Sequence, residues 1–386
     1  MLCVLLIGCA GPLTSPPAAS PDRAKADAVL KIVRDTMAQR HLKAVIVRVT
    51  VDGKEVLTQA VGESITGVPA TPQMHFRNGA VAISYVSTLL LKLVDEKKVR
   101  LDDKLSTWLP NIPNADRVTL GQLAQMTSGY PDYVIGNAFT AALYANPFKQ
   151  WSTDELLAQV LSRPLLYPPG TNWNYAHTNY VLLGLALEKA TGQDMPELLQ
   201  DKVLGPLGLS QTANSDTPEI PSPALHTFSS ERRIYEETTY WNPSWTITHG
   251  AIQTTNIYDL EATARGIGSG RLLSTDSYKA MVSTDLRRNT RSQPGCPTCA
   301  EQNEVYTYGL GIIISGNWLL QNPMFAGLAG VEAYLPSQKI ALGVITTYNE
   351  EAFDENGDYS NEADTLFRRI GAELAPDDAP PQLPAK

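Results

Sequence analysis

No block of lysine and arginine occurs anywhere in this chain, and its formal net charge is -9. A nucleic-acid partner is not expected on that ground, because phosphates demand a basic face. Charge alone would not hold it on an anionic membrane either. Beyond the first nine residues no apolar run approaches the roughly 20 residues of a spanning helix, so the body of the chain reads as soluble. The five histidines, at positions 41, 75, 177, 226 and 249, show no His-x-x-x-His or similar ligand spacing. Neither a metal nor a cofactor is therefore expected. Also missing are Ser-x-x-Lys and Gly-x-Ser-x-Gly, the short patterns that would supply a serine nucleophile. There is no internal repeat.

Cysteine is scarce, with four in 386 residues. Met1 to Cys9 is apolar and ends in Leu6-Ile7-Gly8-Cys9, ahead of a Pro/Ser/Ala-rich stretch. It resembles the tail of a bacterial lipoprotein signal, which is cut before a cysteine whose thiol carries the lipid. The alternative is an ordinary secretory segment with a chance cysteine. The lipoprotein reading makes residues 1–8 a signal remnant and Cys9 the anchor, places the protein outside the cytoplasmic membrane, and leaves 9–23 as a flexible tether. Cys3 would leave with the signal. Cys296-Pro-Thr-Cys299 lies in a polar loop with no second pair to complete a metal site. In an export compartment a local disulfide is the default.

What is present is an ordinary globular composition, 43% hydrophobic and 18% charged, long enough for one large domain or two lobes sharing a core. Ala26, Val29, Leu30, Val33 and Met37 recur at helical spacing and predict a helix over 24–40. Ala44 to Val51 and Glu55 to Gly62 form a hairpin around Asp52-Gly53. An apolar helix follows from about Val81 to Glu96, and the chain from about Leu120 to Gly208 is helical with Pro/Gly turns. Strands return at Leu310 to Ser315, Val331 to Leu335 and Ile340 to Thr347, before a last helix, Glu362 to Leu374. The predicted fold is mixed α/β: an antiparallel sheet flanked by helices, with an inserted, mainly helical lobe. The domain spans 24–375, its sheet lobe about 24–78 and 245–375, its helical lobe about 79–244. The Pro/Asp-rich segment 376–386 is expected to be disordered.

The run Phe76-Arg77-Asn78-Gly79-Ala80-Val81-Ala82-Ile83, then Leu91-Lys92-Leu93-Val94, Leu101-Asp102-Asp103 and Leu109-Pro110, resembles the serine β-lactamase and D-alanyl-D-alanine carboxypeptidase superfamily, especially its class C-like esterases. Leu123 to Tyr133 with Thr127-Ser128-Gly129, Pro169-Gly170-Thr171-Asn172-Trp173-Asn174-Tyr175, Tyr180 to Gly192, Thr248 to Leu260 and Tyr308-Gly309-Leu310-Gly311 agree in order and spacing, so the resemblance covers roughly 24–374. It implies a β-lactamase/transpeptidase-like fold. It also implies a serine on the first turn of the helix and a lysine one turn later, where this chain has Ala80 and Ile83. Neither can form an acyl intermediate or take a proton. Tyr175 matches the family's second motif, but His177 replaces its asparagine. The third motif, a cationic or imidazole group on a strand, falls on Met324 to Ala329, with Phe325 and Gly327 at the matching positions. Gln125 stands where a histidine is frequent.

The expected site is thus a degenerate pocket of Ala80, Ile83, Tyr175, His177, Phe325 and Gly327. The expected function is a lipid-anchored envelope protein that binds a peptide, glycan or lipid fragment, or a protein partner, without hydrolysing it. The competing expectation is a serine hydrolase with unorthodox chemistry at Ser84 or Ser128, served by Tyr175 and His177. Ser84 should face the core, and no carboxylate stands at a predictable distance to orient His177.

Overall fold

The computed structural model describes residues 21–383. The expectations for residues 1–8, for Cys9 and for most of the tether lie outside the described residues. Helix α1 (Pro21–Gln39) begins inside the segment predicted as tether and buries Val29 and Val33, the stripe that the 3.6-residue period selects. It leads into β1 (Leu42–Val51) and β2 (Lys54–Ile65), joined by Asp52 and Gly53 with φ of 49° and 73°. Two successive positive φ values give the turn whose twist matches antiparallel strands.

A short β3 (Val68–Pro69) extends this edge. The remaining strands come from the far end of the chain: β4 (Thr307–Tyr308), β5 (Ile313–Ser315), β6 (Trp318–Gln321), β7 (Met324–Phe325), β8 (Leu328–Leu335) and β9 (Ile340–Tyr348). They form a nine-stranded sheet in the order β3-β2-β1-β9-β8-β6-β5-β4, with β7 also paired to β8. Its strand pairs are antiparallel. The mixed α/β architecture read from the sequence is therefore the observed one.

Helix α2 (Val81–Asp95) runs through the interior, with Ile83, Leu89 and Leu90 among its buried side chains. A helix apolar on every side is what such burial requires. Beside it lies α3 (His177–Thr191), closed by Gly192 in the left-handed conformation at φ 70°. Helix α4 (Ile257–Gly268) packs on β1, β8 and β9, while α5 (Glu362–Leu374) packs against α1 and on β8 and β9. Every residue of β8 and β9 is buried. Strands covered on both faces are apolar at successive positions, which is why these sequences do not alternate, although β8 also buries Glu332.

Two small elements fix the entrance to α2. Phe76–Arg77 and Ala213–Asn214 both pair with Gln253–Thr255. The Asn78 amide then donates to the Gln253 side chain at 3.0 Å. Cys296 and Cys299 are joined by a disulfide.

Over its described residues, 376–383, the C-terminal segment corrects the expectation of disorder. Pro376–Asp378 forms a 3-10 turn. Asp378 accepts from Asn317 and Ser337 at 2.7 and 3.1 Å, and its carbonyl accepts from the Trp318 indole at 2.7 Å. The buried Arg368 reaches the Pro381 carbonyl. Polar anchoring orders this segment where apolar burial alone would not.

Candidate functional site

A cavity of about 300 Å³ opens where five parts of the chain meet. Gly79 and Ala80 come from the approach to α2, Tyr175 and His177 from the start of α3, and Trp245 and Thr246 from a long loop. Tyr306 and Ile313 belong to the β4–β5 region, and Gln321 to Phe325 cross from β6 to β7. Of the expected pocket residues, Ala80, Tyr175, His177 and Phe325 line this cavity. Ile83 and Gly327 do not. Ile83 is 3% exposed and belongs to the core, since its position turns it inward from the helix entrance.

Ala80 begins α2 with no side-chain cap. Neither alternative serine reaches the cavity. Ser84 is fully buried and donates to the Val81 carbonyl at 2.7 Å. Ser128 is fully buried against Asn179, and its hydroxyl accepts from the Tyr130 amide at 3.1 Å. Gln125 ends a short helix, Leu120–Ala124.

Phe325 closes the space in front of α2. A methyl group built on Gly79 would stand 2.8 Å from both the Phe325 ring and Pro323. The contact therefore depends on glycine at 79, which also has φ 52°. Phe325 is held by its hairpin. Ala326 and Gly327 turn with φ of 49° and 75°, so that Phe325 pairs with Leu328 and Met324 with Ala329. The Thr238 hydroxyl donates to the Ala326 carbonyl at 2.6 Å and the Gly327 amide donates to the Tyr359 hydroxyl at 2.9 Å.

The sequence placed no carboxylate at a predictable distance from His177; the structure brings Asp132 to it. Asp132 is 4% exposed and accepts three hydrogen bonds, from the Val134 amide at 3.2 Å, the His177 amide at 3.2 Å and His177 Nδ1 at 2.9 Å. A carboxylate only accepts, so Nδ1 carries a proton, and in the neutral imidazole Nε2 keeps its lone pair. Among the described residues Nε2 has no hydrogen-bond partner. The ring is packed against Tyr175, Tyr133 and Trp245, with centroids 5.3, 5.8 and 6.1 Å away.

No lysine, arginine, aspartate or glutamate lines the cavity. Burial, and secondarily the Asp132 charge, pushes the Tyr175 phenol above its ordinary range. Burial does the same to Tyr306. Both remain neutral. The arrangement offers aromatic surface, one imidazole and two neutral phenols, with no serine, cysteine, lysine or arginine in the lining. Sequence reasoning missed Asp132, which lies in the quoted Leu123 to Tyr133 segment next to Pro131. It also missed Trp245, Thr246 and Tyr306, which enter from loops that carry no motif.

The β-lactamase family model matches residues 29–367. Penicillin-binding protein 4 of Amycolatopsis lactamdurans is 33% identical over 184 residues, 45% of each chain. The D-alanyl-D-alanine-carboxypeptidase/endopeptidase AmpH of Escherichia coli K12 is 29% identical over 179 residues, 44% of this chain and 45% of its own. These matches span under half the length of either relative. Among solved structures, a D-stereospecific amidohydrolase from Streptomyces aligns with a TM-score of 0.75 at 22% identity, covering 91% of this chain and 99% of that one. A penicillin-binding protein from Bacillus halodurans aligns with a TM-score of 0.70 at 16% identity, covering 89% and 99%. With one family model running from α1 to α5 over the fold described above, the chain belongs to the β-lactamase family.

Proposed function

We propose that this protein is a cell-envelope ligand-binding member of the family that performs no acyl transfer, anchored by lipid on Cys9. The observation that carries the reading is the packing of Phe325 and Pro323 onto Gly79, immediately before Ala80. Where the family resemblance places a serine, this chain has the methyl group of Ala80 on the cavity wall. Ser84 and Ser128 are committed to internal hydrogen bonds, and no basic side chain other than His177 reaches the cavity. Attack on a carbonyl requires a nucleophile with a base in reach. A cavity of this size lined largely by aromatic side chains suits the noncovalent capture of a small molecule. The named relatives are penicillin-binding proteins and hydrolases, which supports an envelope setting and makes the altered centre the point of departure.

The test is to expose membranes and purified protein to a fluorescent penicillin, a fluorophosphonate and nitrocefin, with mass analysis of the mature N-terminus. The expected result is no covalent label and no turnover, with acyl mass on Cys9. Labelling that disappears in Ser84→Ala or Ser128→Ala would overturn the non-hydrolytic reading. An unacylated N-terminus would overturn the anchor.

A further inference from the structure

We infer that the Asp132–His177 pair sets the polarity of the cavity, so that it selects uncharged ligands carrying an N–H donor and rejects carboxylates. The inference rests on the proposal that this cavity binds a ligand. Asp132 is fixed by two backbone amides as well as by Nδ1, which leaves it no freedom to turn away from the ring. The ring is gripped by Tyr133, Tyr175 and Trp245, so the imidazole cannot flip without breaking both sets of contacts. In the neutral ring Nε2 is then an acceptor held in place beside Tyr175.

With the imidazole neutral, a ligand carboxylate brought to Nε2 would meet a lone pair, with the Asp132 charge behind the ring. No lysine or arginine lines the cavity to compensate, and an unpaired anion leaving water is strongly disfavoured. A carboxamide presents its N–H to Nε2 and its oxygen to the Tyr175 hydroxyl. Its apolar remainder meets Trp245 and Tyr306. Asp132 is therefore a positioning residue that acts through His177.

Replacing Asp132 by asparagine reverses the arrangement in a predictable way. The asparagine oxygen can still accept from the two backbone amides, but its NH2 donates to Nδ1, which moves the ring proton to Nε2. The cavity then offers a donor where it offered an acceptor.

Benzamide and benzoate, matched in shape and opposite in this respect, serve as probes. Binding is followed by protein-observed NMR at the Trp245 indole and the His177 ring, whose nitrogen shifts report the tautomer directly. In the native protein the Nδ1–H tautomer is expected, with benzamide bound roughly tenfold or more tightly than benzoate, about the effect of one hydrogen bond. In Asp132→Asn the Nε2–H tautomer is expected, with the preference shifted toward benzoate by a similar factor. A merely structural aspartate would leave the tautomer unchanged in the variant. An Nε2–H tautomer in the native protein, equal or tighter binding of benzoate, failure of both probes to bind, or unchanged selectivity in Asp132→Asn would each overturn the inference. None of these outcomes depends on covalent labelling or turnover, which test the functional reading separately.

Discussion

At the residue scale, the departures from the family pattern differ in structural weight. Ala80 lines the cavity, whereas Ile83 fills core space, so the two replacements seen together in the sequence do separate jobs. Gly327 does a third. A methyl group there would stand 1.9 Å from the Phe228 carbonyl oxygen, and its φ of 75° disfavours any other residue. Gly327→Ala is expected to cost about 2–4 kcal/mol, from backbone strain together with a clash against backbone that cannot move aside, measured as a fall in the urea midpoint. The same substitution at Gly53, where nothing lies within 4 Å, should cost only about 1 kcal/mol. Ala80, Tyr175, His177 and Phe325 were legible because they sit at motif positions. Asp132 was not, because its partner lies 45 positions away, and a long-range hydrogen bond leaves no local pattern to read.

At the element scale, α1 was legible from helical spacing, the hairpin β1–β2 from two β-branched runs around a two-residue turn, and α2, β8 and β9 from largely apolar runs; α5 was also expected. β6 was missed. It is four residues long, too short to show alternation, and its pairing with β8 is tertiary. Helix α5 carries a second feature that periodicity hides. Asp364 and Arg368 form an ion pair at 2.7 Å with side chains only 3% and 4% exposed, and Arg368 also donates to Ser315 at 3.0 Å. Removing one partner leaves the other charge stranded in the interior. Asp364→Ala should therefore destabilise by about 3–5 kcal/mol, while the double change Asp364→Ala with Arg368→Met should recover much of that loss. Chemical denaturation of the three proteins checks it. The same arginine holds the Pro381 carbonyl, which explains how a segment with the composition of a disordered tail is fixed to the body.

At the scale of the whole molecule, one carboxyl group couples the hairpin that carries Phe325 to pH. Burial pushes Glu231 up to about 7 from 4.5, against the opposing effect of hydrogen bonds from Ser229 and the Ala326 amide, with Asp358 nearby adding to the rise. A carboxyl whose folded pKa is raised binds more protons folded than unfolded between those two values. Its contribution to stability is thus fully present below about pH 4.5 and is lost as pH rises through about 7. Over that window stability should fall by on the order of 2 kcal/mol on this account, and Glu231→Gln should flatten the fall. Thermal melts at a series of pH values, compared between the two proteins, measure it. If the variant follows the native curve, Glu231 is not the coupled group.

The pairing of β7 with β8 also decides what size of ligand can compete for this part of the molecule. An extended peptide could add to the β8 edge at Leu328 and Ala329 only by displacing β7, which a two-residue turn tethers to the same strand. A segment tethered so closely acts at an effective concentration in the millimolar range or above, roughly a thousandfold beyond a free peptide at micromolar levels. Dilution leaves that advantage intact. A small molecule entering the aromatic cavity faces no such competitor.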